Sequence, residues 1–419
     1  MEHDAAKLRP PDGSSTLELH QASRWGELDK VKQLTEEEKL NPLQKDNNND
    51  TALHCAAEGG HLNVMKYFIE EKSLVPACLG WHGQTPLHDA AHKKHTELVR
   101  YLVAEQQVDP LCQDEFGYTP LHRASVGGDI DVVHYLVNEM NKYIPLKDVV
   151  YDRTKNELTP IHYAALNGHL QVVKFFISEL NCDPTTPGWR GRTPLHAAAE
   201  QGHLDVVKYL IEEVKCDPSY CSGEDKVTPL HMAAHYGHLD VVIYLTKENH
   251  CNPLNRNANG NTPLHGATLR GHLKVVKFFI SGLNCDPNTP GQWGRTPLHH
   301  AAERDHLDHV RYLIEKLNCN PSHLDEDKLT PLHLAADYGH LDVVKYLTQD
   351  KLCSPLCCDN SKNTPLHYAA QEGQLEVVKY FTETLKCPPN IRGYCNMTPM
   401  ELARSQGHTH IVQYLMSAV

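Results

Sequence analysis

The segment NCDPTTPGWRGRTPLH, residues 181–196, contains a thiol, a carboxylate and an imidazole within sixteen residues. Cys182, Asp183 and His196 are residue types that serve as nucleophiles, bases and metal ligands. A catalytic pair would need its nucleophile and base within about 3 Å of each other, and no sequence motif marks such a pair. Nearly the same sequence, NCDPNTPGQWGRTPLH, recurs at residues 284–299. Because the segment is repeated, we first interpret its residues as structural elements of a repeated unit.

A histidine in an L-H-x-A-A-like motif marks the period of the repeat. Successive histidines of this motif are 34 residues apart, except for one interval of 35 and one of 40. A twelfth unit carries Glu401 at the position of the histidine. The eleven histidines are His20, His54, His88, His122, His162, His196, His231, His265, His299, His333 and His367.

Each unit predicts two short helices, as in GRTPLHAAAEQGHLDVVKYLIEEVKCDP, residues 191–218. Thr193 is a good N-cap, and Pro194 suits the first helical position, where no N–H is needed. Gly202 ends the first helix in the left-handed conformation. The second helix stops near Lys215, where sister units carry Asn181, Asn284 or Asn318. Helices this short are unstable alone in water, so each unit needs its neighbours.

The pattern G-x-T-P-L-H-x-A-A-x-x-G-H-x-x-V-V-x-x-L resembles the ankyrin repeat over about residues 16–419. The resemblance implies an all-α solenoid of about twelve helix-turn-helix units with projecting β-hairpin fingers. It also implies a groove, lined by the fingers and first helices, that binds proteins without catalysis or cofactor. The common family unit has 33 residues, so we expect the extra residue to lengthen the second helix or its exit.

The domain prediction is a disordered tail at residues 1–15 followed by one continuous solenoid. Residues 16–157 hold the N-terminal cap and a long finger, and residues 158–419 hold the C-terminal cap. The six-residue excess precedes residue 159, and we expect it to lengthen one finger, with Val149, Val150 and Tyr151 near its tip. A hinge is predicted near residues 140–158.

The net charge of -13 disfavours a nucleic-acid partner, which would require clustered Lys and Arg. No apolar run approaches the roughly 18 residues of a membrane span. Fourteen Cys without clustered CxxC pairs indicate a reducing compartment. We therefore expect a soluble cytoplasmic monomer, with the nucleus as the alternative compartment, no membrane insertion and a protein or peptide partner.

One cysteine recurs in each of seven successive units. We interpret these cysteines as small buried residues, since stacked repeats lie about 8–10 Å apart, too far for a disulfide. The alternative is a metal-binding or redox-responsive Cys/His ladder. The cysteines are Cys182, Cys216, Cys251, Cys285, Cys319, Cys353 and Cys387. The resemblance implies that the L-H histidines bridge each first helix to the neighbouring finger.

The residues that the repeat does not explain are the candidates for binding. By resemblance, the groove is lined by the finger positions two to four before Thr and by the two residues after A-A. Aromatic and arginine residues there predict binding of an acidic segment with an aromatic or apolar residue. One extended segment is expected to reach from Trp189 to Trp293. The predicted partner-binding residues are Trp81, Trp189, Arg190, Arg192, His235, Tyr236, Arg270, Trp293, Arg295, Arg304 and Tyr338, with Trp25 also assigned to the groove.

Overall fold

The computed structural model describes residues 15–349 and 352–417. The predicted disordered tail lies outside these residues except for Ser15, which begins the first helix. The described residues form 25 α-helices and no β-strand, which confirms the all-α prediction. None of these helices has the length and apolar content needed to cross a bilayer.

Each repeat contributes a first and a second helix. The first helices are α1 Ser15–Trp25, α3 Ala52–Gly59, α5 Pro86–His92, α7 Pro120–Gly127, α10 Pro160–Leu166, α12 Pro194–Gln201, α14 Pro229–Tyr236, α16 Pro263–Leu269, α18 Pro297–Glu303, α20 Pro331–Asp337, α22 Pro365–Gln371 and α24 Pro399–Ser405. The second helices are α2 Leu28–Glu36, α4 Leu62–Lys66, α6 Thr96–Arg100, α8 Ile130–Met140, α11 Leu170–Lys174, α13 Leu204–Lys208, α15 Leu239–Ile243, α17 Leu273–Lys277, α19 Leu307–Arg311, α21 Leu341–Thr348, α23 Leu375–Lys379 and α25 Thr409–Ser417. An additional helix, α9 Leu146–Val150, lies between α8 and α10.

The chain divides into two compact units. Of the described residues, the first holds 15–198 together with 205–216, and the second holds 199–204 together with 217–349 and 352–417. Within each unit, a first helix packs on the first helix of the next repeat, as α5 packs on α7 and α18 on α20. The hinge predicted near residues 140–158 would lie inside the first unit and stays a prediction.

Ten of the twelve first helices begin after a threonine that is linked to the L-H histidine three residues later. The Thr228 N–H donates to Nδ1 of His231 (3.2 Å), so this nitrogen accepts and the ring proton is on Nε2. His231 Nε2 then donates to the Asn261 carbonyl in the next finger (3.2 Å). This confirms the predicted bridge between helix and finger. The same Nε2 bond to the following finger is made by His54, His88, His122, His162, His265, His299 and His333.

In most repeats a second histidine packs on the turn that ends the preceding first helix, which usually carries a glycine. His272 Nε2 donates to the His235 carbonyl (3.0 Å), and its ring lies where a Cβ on Gly237 would stand. The carbonyl at this helix end would otherwise have no intrahelical partner. Equivalent bonds to the preceding turn are made by His61, His95, His169, His238, His306 and His340.

In eight of the repeats, a π-helical turn follows the second helix. A π-turn contains one residue more than the α-helical turn it replaces, so it absorbs the extra residue without a long extension. In one repeat, Phe278–Gly282 is π-helical, Asn284 follows with φ 54°, and Cys285 N–H donates back to the Phe279 carbonyl (3.0 Å). The predicted left-handed stops at Asn181 and Asn318 are also confirmed, with φ of 52° and 53°.

The six-residue excess forms a helix instead of a longer finger, so the prediction of an extended finger was wrong. Val149 and Val150 end α9 and are 0% and 2% exposed. Burying a valine contributes about 1.5–3 kcal/mol, which favours packing this apolar pair over displaying it at a tip. Tyr151 follows α9, and its hydroxyl accepts a hydrogen bond from the Asp183 N–H (2.8 Å).

The seven repeated cysteines are all buried and unpaired, which confirms their interpretation as small core residues. Burial raises the pKa of the Cys285 thiol to about 11 and that of Cys182 to about 12. These thiols are therefore neutral at pH 7 and poor nucleophiles or metal ligands as they stand.

Acid should destabilise the fold, because burial lowers the pKa of seven bridging histidines. Since an unfolded histidine has a pKa near 6.5, the unfolded chain binds more protons than the folded one below that pH. The stability that the neutral rings provide should be complete above about pH 6.5 and fall until about pH 4, by ~2 kcal/mol per histidine at pH 5. The pKa is lowered to about 4 for His88, His122, His162, His231 and His333, and to about 3 for His265 and His299.

Denaturant unfolding followed by circular dichroism at pH 7, 6 and 5 measures this dependence. His134→Gln is the control, because His134 is exposed on α8 and should leave the pH dependence unchanged. A free energy of unfolding that is constant from pH 7 to 5 would contradict the proposed role of the neutral rings.

Alanine substitutions at two left-handed glycines should distinguish the free-energy cost of backbone strain from the cost of losing a histidine contact. Gly260 has φ 78°, and a Cβ there would meet only atoms 3.9 Å or more away. Gly237 has φ 86°, and a Cβ would meet His272 Nδ1 at 2.4 Å. Gly260→Ala should cost about 1–2 kcal/mol, whereas Gly237→Ala should cost about 2–5 kcal/mol because the His272 bond is also lost. Equal free energies of unfolding for the two variants would refute this distinction.

Candidate protein-interaction surface

Nine of the fingers that connect the repeats are of two kinds. In the first kind, an Asp or Asn five residues before the capping Thr organises the loop with its side-chain oxygen. Asp325 Oδ1, for example, accepts from the N–H groups of Asp327 (3.0 Å) and Leu329 (2.8 Å). The residues at this position are Asp46, Asp114, Asn257, Asp325 and Asp359.

In the second kind of finger, a glycine takes that position and a short 3₁₀ turn follows. Every third finger is of this kind, which accounts for the 103-residue echo between residues 181–196 and 284–299. Each of the four glycines is followed within two residues by an aromatic side chain, so we term these the aromatic fingers. The glycines are Gly80, Gly188, Gly291 and Gly393, and the aromatic residues are Trp81, Trp189, Trp293 and Tyr394.

The fingers are tight turns and not β-hairpins, because each is closed by isolated hydrogen bonds. Gly291 N–H donates to the Arg295 carbonyl (2.7 Å), and the next finger attaches through Glu326 N–H to the Trp293 carbonyl (3.0 Å). A strand requires a ladder of successive bonds, and the described residues contain none. We use the term finger face for the surface that fingers and first helices form within one unit.

Trp189 and Trp293 occupy different positions in their turns, although their segments look alike in sequence. Trp189 directly follows Gly188 and begins its 3₁₀ turn, as Trp81 does after Gly80. Trp293 is one residue further along and has φ 56°, the left-handed conformation that Arg190 adopts in its own finger. Bulky residues rarely accept this conformation, so Trp293 carries a local backbone strain.

In the first unit, the aromatic finger at residues 188–192 gathers three of the predicted binding residues. The guanidinium carbons of Arg190 and Arg192 lie 4.3 and 5.1 Å from the Trp189 ring centre. Arg190 is exposed, and Trp189 and Arg192 are partly buried. Trp81 is partly buried as well, and its ring makes an edge contact with His82 (4.2 Å).

In the second unit, the Arg295 guanidinium is already neutralised within the protein. It lies 3.3 Å from Glu303 and 3.3 Å from Asp325, and it also covers the Trp293 ring (5.1 Å). Arg304 lies 3.4 Å from the same Glu303 carboxylate and is half exposed. The Trp293 side chain itself is 54% exposed.

The remaining predicted residues form two smaller groups in the second unit. Arg270 donates to His235 Nε2 (2.9 Å), and the rings of His235 and Tyr236 lie 5.0 Å apart. Tyr338 is 47% exposed, with its ring parallel to that of His340. Trp25, in the first unit, is 71% exposed.

The sequence-based search missed the carboxylates that surround the predicted arginines. Glu303 and Asp325 are almost fully buried, and each pairs with Arg295 from a different element. Asp114 likewise pairs with Arg123 (2.9 Å) in the first unit. The sequence does contain a signal for the finger carboxylates, since an Asp recurs five residues before the capping Thr. This recurrence is visible only when the repeats are aligned on their fingers.

No group of three or more His, Cys, Asp or Glu side chains in the described part of the chain is arranged to hold a metal ion. Eight of the L-H histidines engage both ring nitrogens in structural hydrogen bonds, as in His231. The arrangement supports recognition through aromatic and charged side chains.

A glycine substitution should measure the strain at Trp293. Trp293→Gly removes a left-handed bulky residue and should raise the free energy of unfolding by about 1 kcal/mol. Trp189→Gly is the matched control, because Trp189 does not adopt the left-handed conformation and should lose about 0.5–1 kcal/mol. Denaturant unfolding by circular dichroism compares the two, and a larger loss for Trp293→Gly would show that its ring packing outweighs the strain.

Comparison with protein families agrees with the repeat architecture. A family model described as ankyrin repeats (3 copies) matches residues 19–114, 79–148, 104–188, 145–220, 214–290 and 279–356. A second, described as ankyrin repeats (many copies), matches residues 332–382. No curated protein sequence matches the chain significantly. The matches extend over most of the chain, and the protein therefore belongs to the ankyrin-repeat family.

Proposed function

We propose that this protein is a non-catalytic scaffold that binds a segment of a partner protein on its finger face. Ankyrin repeats are in general protein-interaction modules. The observation that carries the proposal is the aromatic finger, which presents a Trp or Tyr in every third repeat. Tryptophan, tyrosine and arginine dominate the binding energy of protein interfaces.

The finger at residues 188–192 is proposed as the anchor for an acidic segment that carries an aromatic or apolar residue. Arg190 and Arg192 flank the Trp189 ring, so a carboxylate and a neighbouring side chain would meet a guanidinium and an indole together. Arginine binds carboxylates through two parallel hydrogen bonds and stacks on rings. Arg295, which pairs with Glu303 and Asp325, is not assigned to this segment.

The chemistry of the repeated residues supports a non-catalytic role. Burial raises the pKa of the repeated thiols, and the bridging histidines are held neutral with both nitrogens bonded. Neither set offers an activated nucleophile or a mobile base. The predictions of a monomer and of a cytoplasmic location remain predictions.

Replacing Trp189 should weaken partner binding without unfolding the protein. Trp189→Ala should lose about 2 kcal/mol of binding free energy, the range of an interface hot spot. Arg190→Ala should chiefly slow association and reduce its salt dependence, because an exposed charge steers the encounter.

The measurement is a quantitative pull-down from source lysate, followed by calorimetry with the protein recovered. Tyr143→Ala is the matched control, because Tyr143 is 64% exposed and lies outside the fingers and first helices. A partner that binds wild type and Trp189→Ala with equal affinity would refute the assignment of this anchor.

A further inference from the structure

Three successive first helices of the second unit carry a carboxylate at their last residue or directly after it. Glu303 is the last residue of α18, Asp337 is the last residue of α20, and Glu372 directly follows α22. The C-terminal end of a helix carries partial negative charge, so a carboxylate there is unfavourable and a cation is favourable. The unit thus concentrates like charge along one edge of its finger face.

The first of these carboxylates is fully compensated by neighbours. Glu303 lies 3.3 Å from Arg295, 3.4 Å from Arg304 and 3.5 Å from His300 Nδ1. Although burial opposes ionisation, His300 and Arg295 hold the pKa of Glu303 below its ordinary value. This site shows how the fold neutralises such a carboxylate when it supplies the cations itself.

The other two carboxylates have no such partners. Within residues 15–349 and 352–417, neither Asp337 nor Glu372 makes an ion pair, and Glu372 accepts only from the Gln371 amide (3.2 Å). Gln374 Nε2 donates to the Asp337 carbonyl (3.1 Å), so the turns after α20 and α22 are joined. Burial and the nearby Glu372 raise the pKa of Asp337 to about 6, with only partial opposition from Arg295.

The surroundings of this pair point to an organic cation. Tyr338, next to Asp337, is 47% exposed, and Leu334 one turn earlier on α20 is 3% exposed. A ring, an apolar side chain and two carboxylates suit the long apolar stem and charged end of Arg or Lys.

We propose that Asp337 and Glu372 receive an Arg or Lys side chain from a basic segment of a partner protein. The segment lies on the finger face of the second unit, with its cation between the two carboxylates and its stem against Tyr338. The inference rests on the proposed function and adds to it a partner chemistry opposite in charge to that assigned to Trp189. Charge complementarity excludes nucleic acid as the occupant, since its phosphates would meet Asp337 and Glu372.

The test uses two ten-residue peptides with blocked ends, alternating Arg and Ser in one and Glu and Ser in the other. We expect calorimetry at 50 mM salt to show binding of the Arg peptide to the wild-type chain. The double variant Asp337→Asn/Glu372→Gln should weaken this binding at least about tenfold, as loss of a charge-assisted contact implies. The Glu peptide should not respond to the double variant.

The matched control is Asp342→Asn/Glu376→Gln, which removes the same two charges from the second helices α21 and α23 of the same repeats. Both side chains are exposed, at 77% and 69%. We expect less than a twofold effect. An equal loss in the control, which would indicate attraction to the net charge of -13 alone, would overturn the proposal.

Two further measurements distinguish other occupants and a structural role. Stoichiometric displacement of the Arg peptide by millimolar Ca²⁺ would overturn the proposal in favour of a metal. Without peptide, Asp337→Asn/Glu372→Gln should keep or raise the melting temperature, because it removes repulsion at helix ends. If the partner recovered through Trp189 binds normally while the Arg peptide never binds, this inference fails and the proposed scaffold function stands.

Discussion

The fold depends on a neutral histidine that, in eight repeats, joins the capped first helix to the finger of the following repeat. In the repeat of His231, Nδ1 accepts from the capping Thr228 and Nε2 donates to Asn261 about thirty residues later. One ring thus fixes the start of a helix and the position of the next finger. Protonation would convert Nδ1 into a donor facing an N–H group, so the bridge exists only with the neutral ring.

The remaining periodic contacts extend this coupling from one repeat to the next. The histidine that follows each turn, such as His272, covers the glycine that ends the preceding first helix and satisfies a carbonyl there. In eight repeats a π-turn after the second helix accommodates the longer unit. Stability in such a chain is a sum of contacts between neighbours, so one faulty junction disturbs mainly the repeats beside it.

The finger face differs from the core because its residues change from repeat to repeat. Every third finger presents an aromatic side chain, whereas five of the seven intervening fingers use an Asp or Asn to organise their own loops. Charge is balanced locally, as at Arg295, or left unbalanced, as at Asp337 and Glu372. We therefore expect a partner to be recognised at those finger-face positions that every repeat has but that different repeats fill with different residues.

The sequence by itself determined the period, the helix starts at Thr-Pro, the left-handed stops and the burial of the repeated cysteines. These features depend on bonds within a few residues, or on a pattern present in every copy. The tertiary structure decided that Val149 and Val150 pack as a helix, that Trp293 is left-handed, and that Arg295 is neutralised. Each of these depends on groups brought together by packing, such as Asp325, which lies thirty residues beyond Arg295 and reaches it only when two fingers stack.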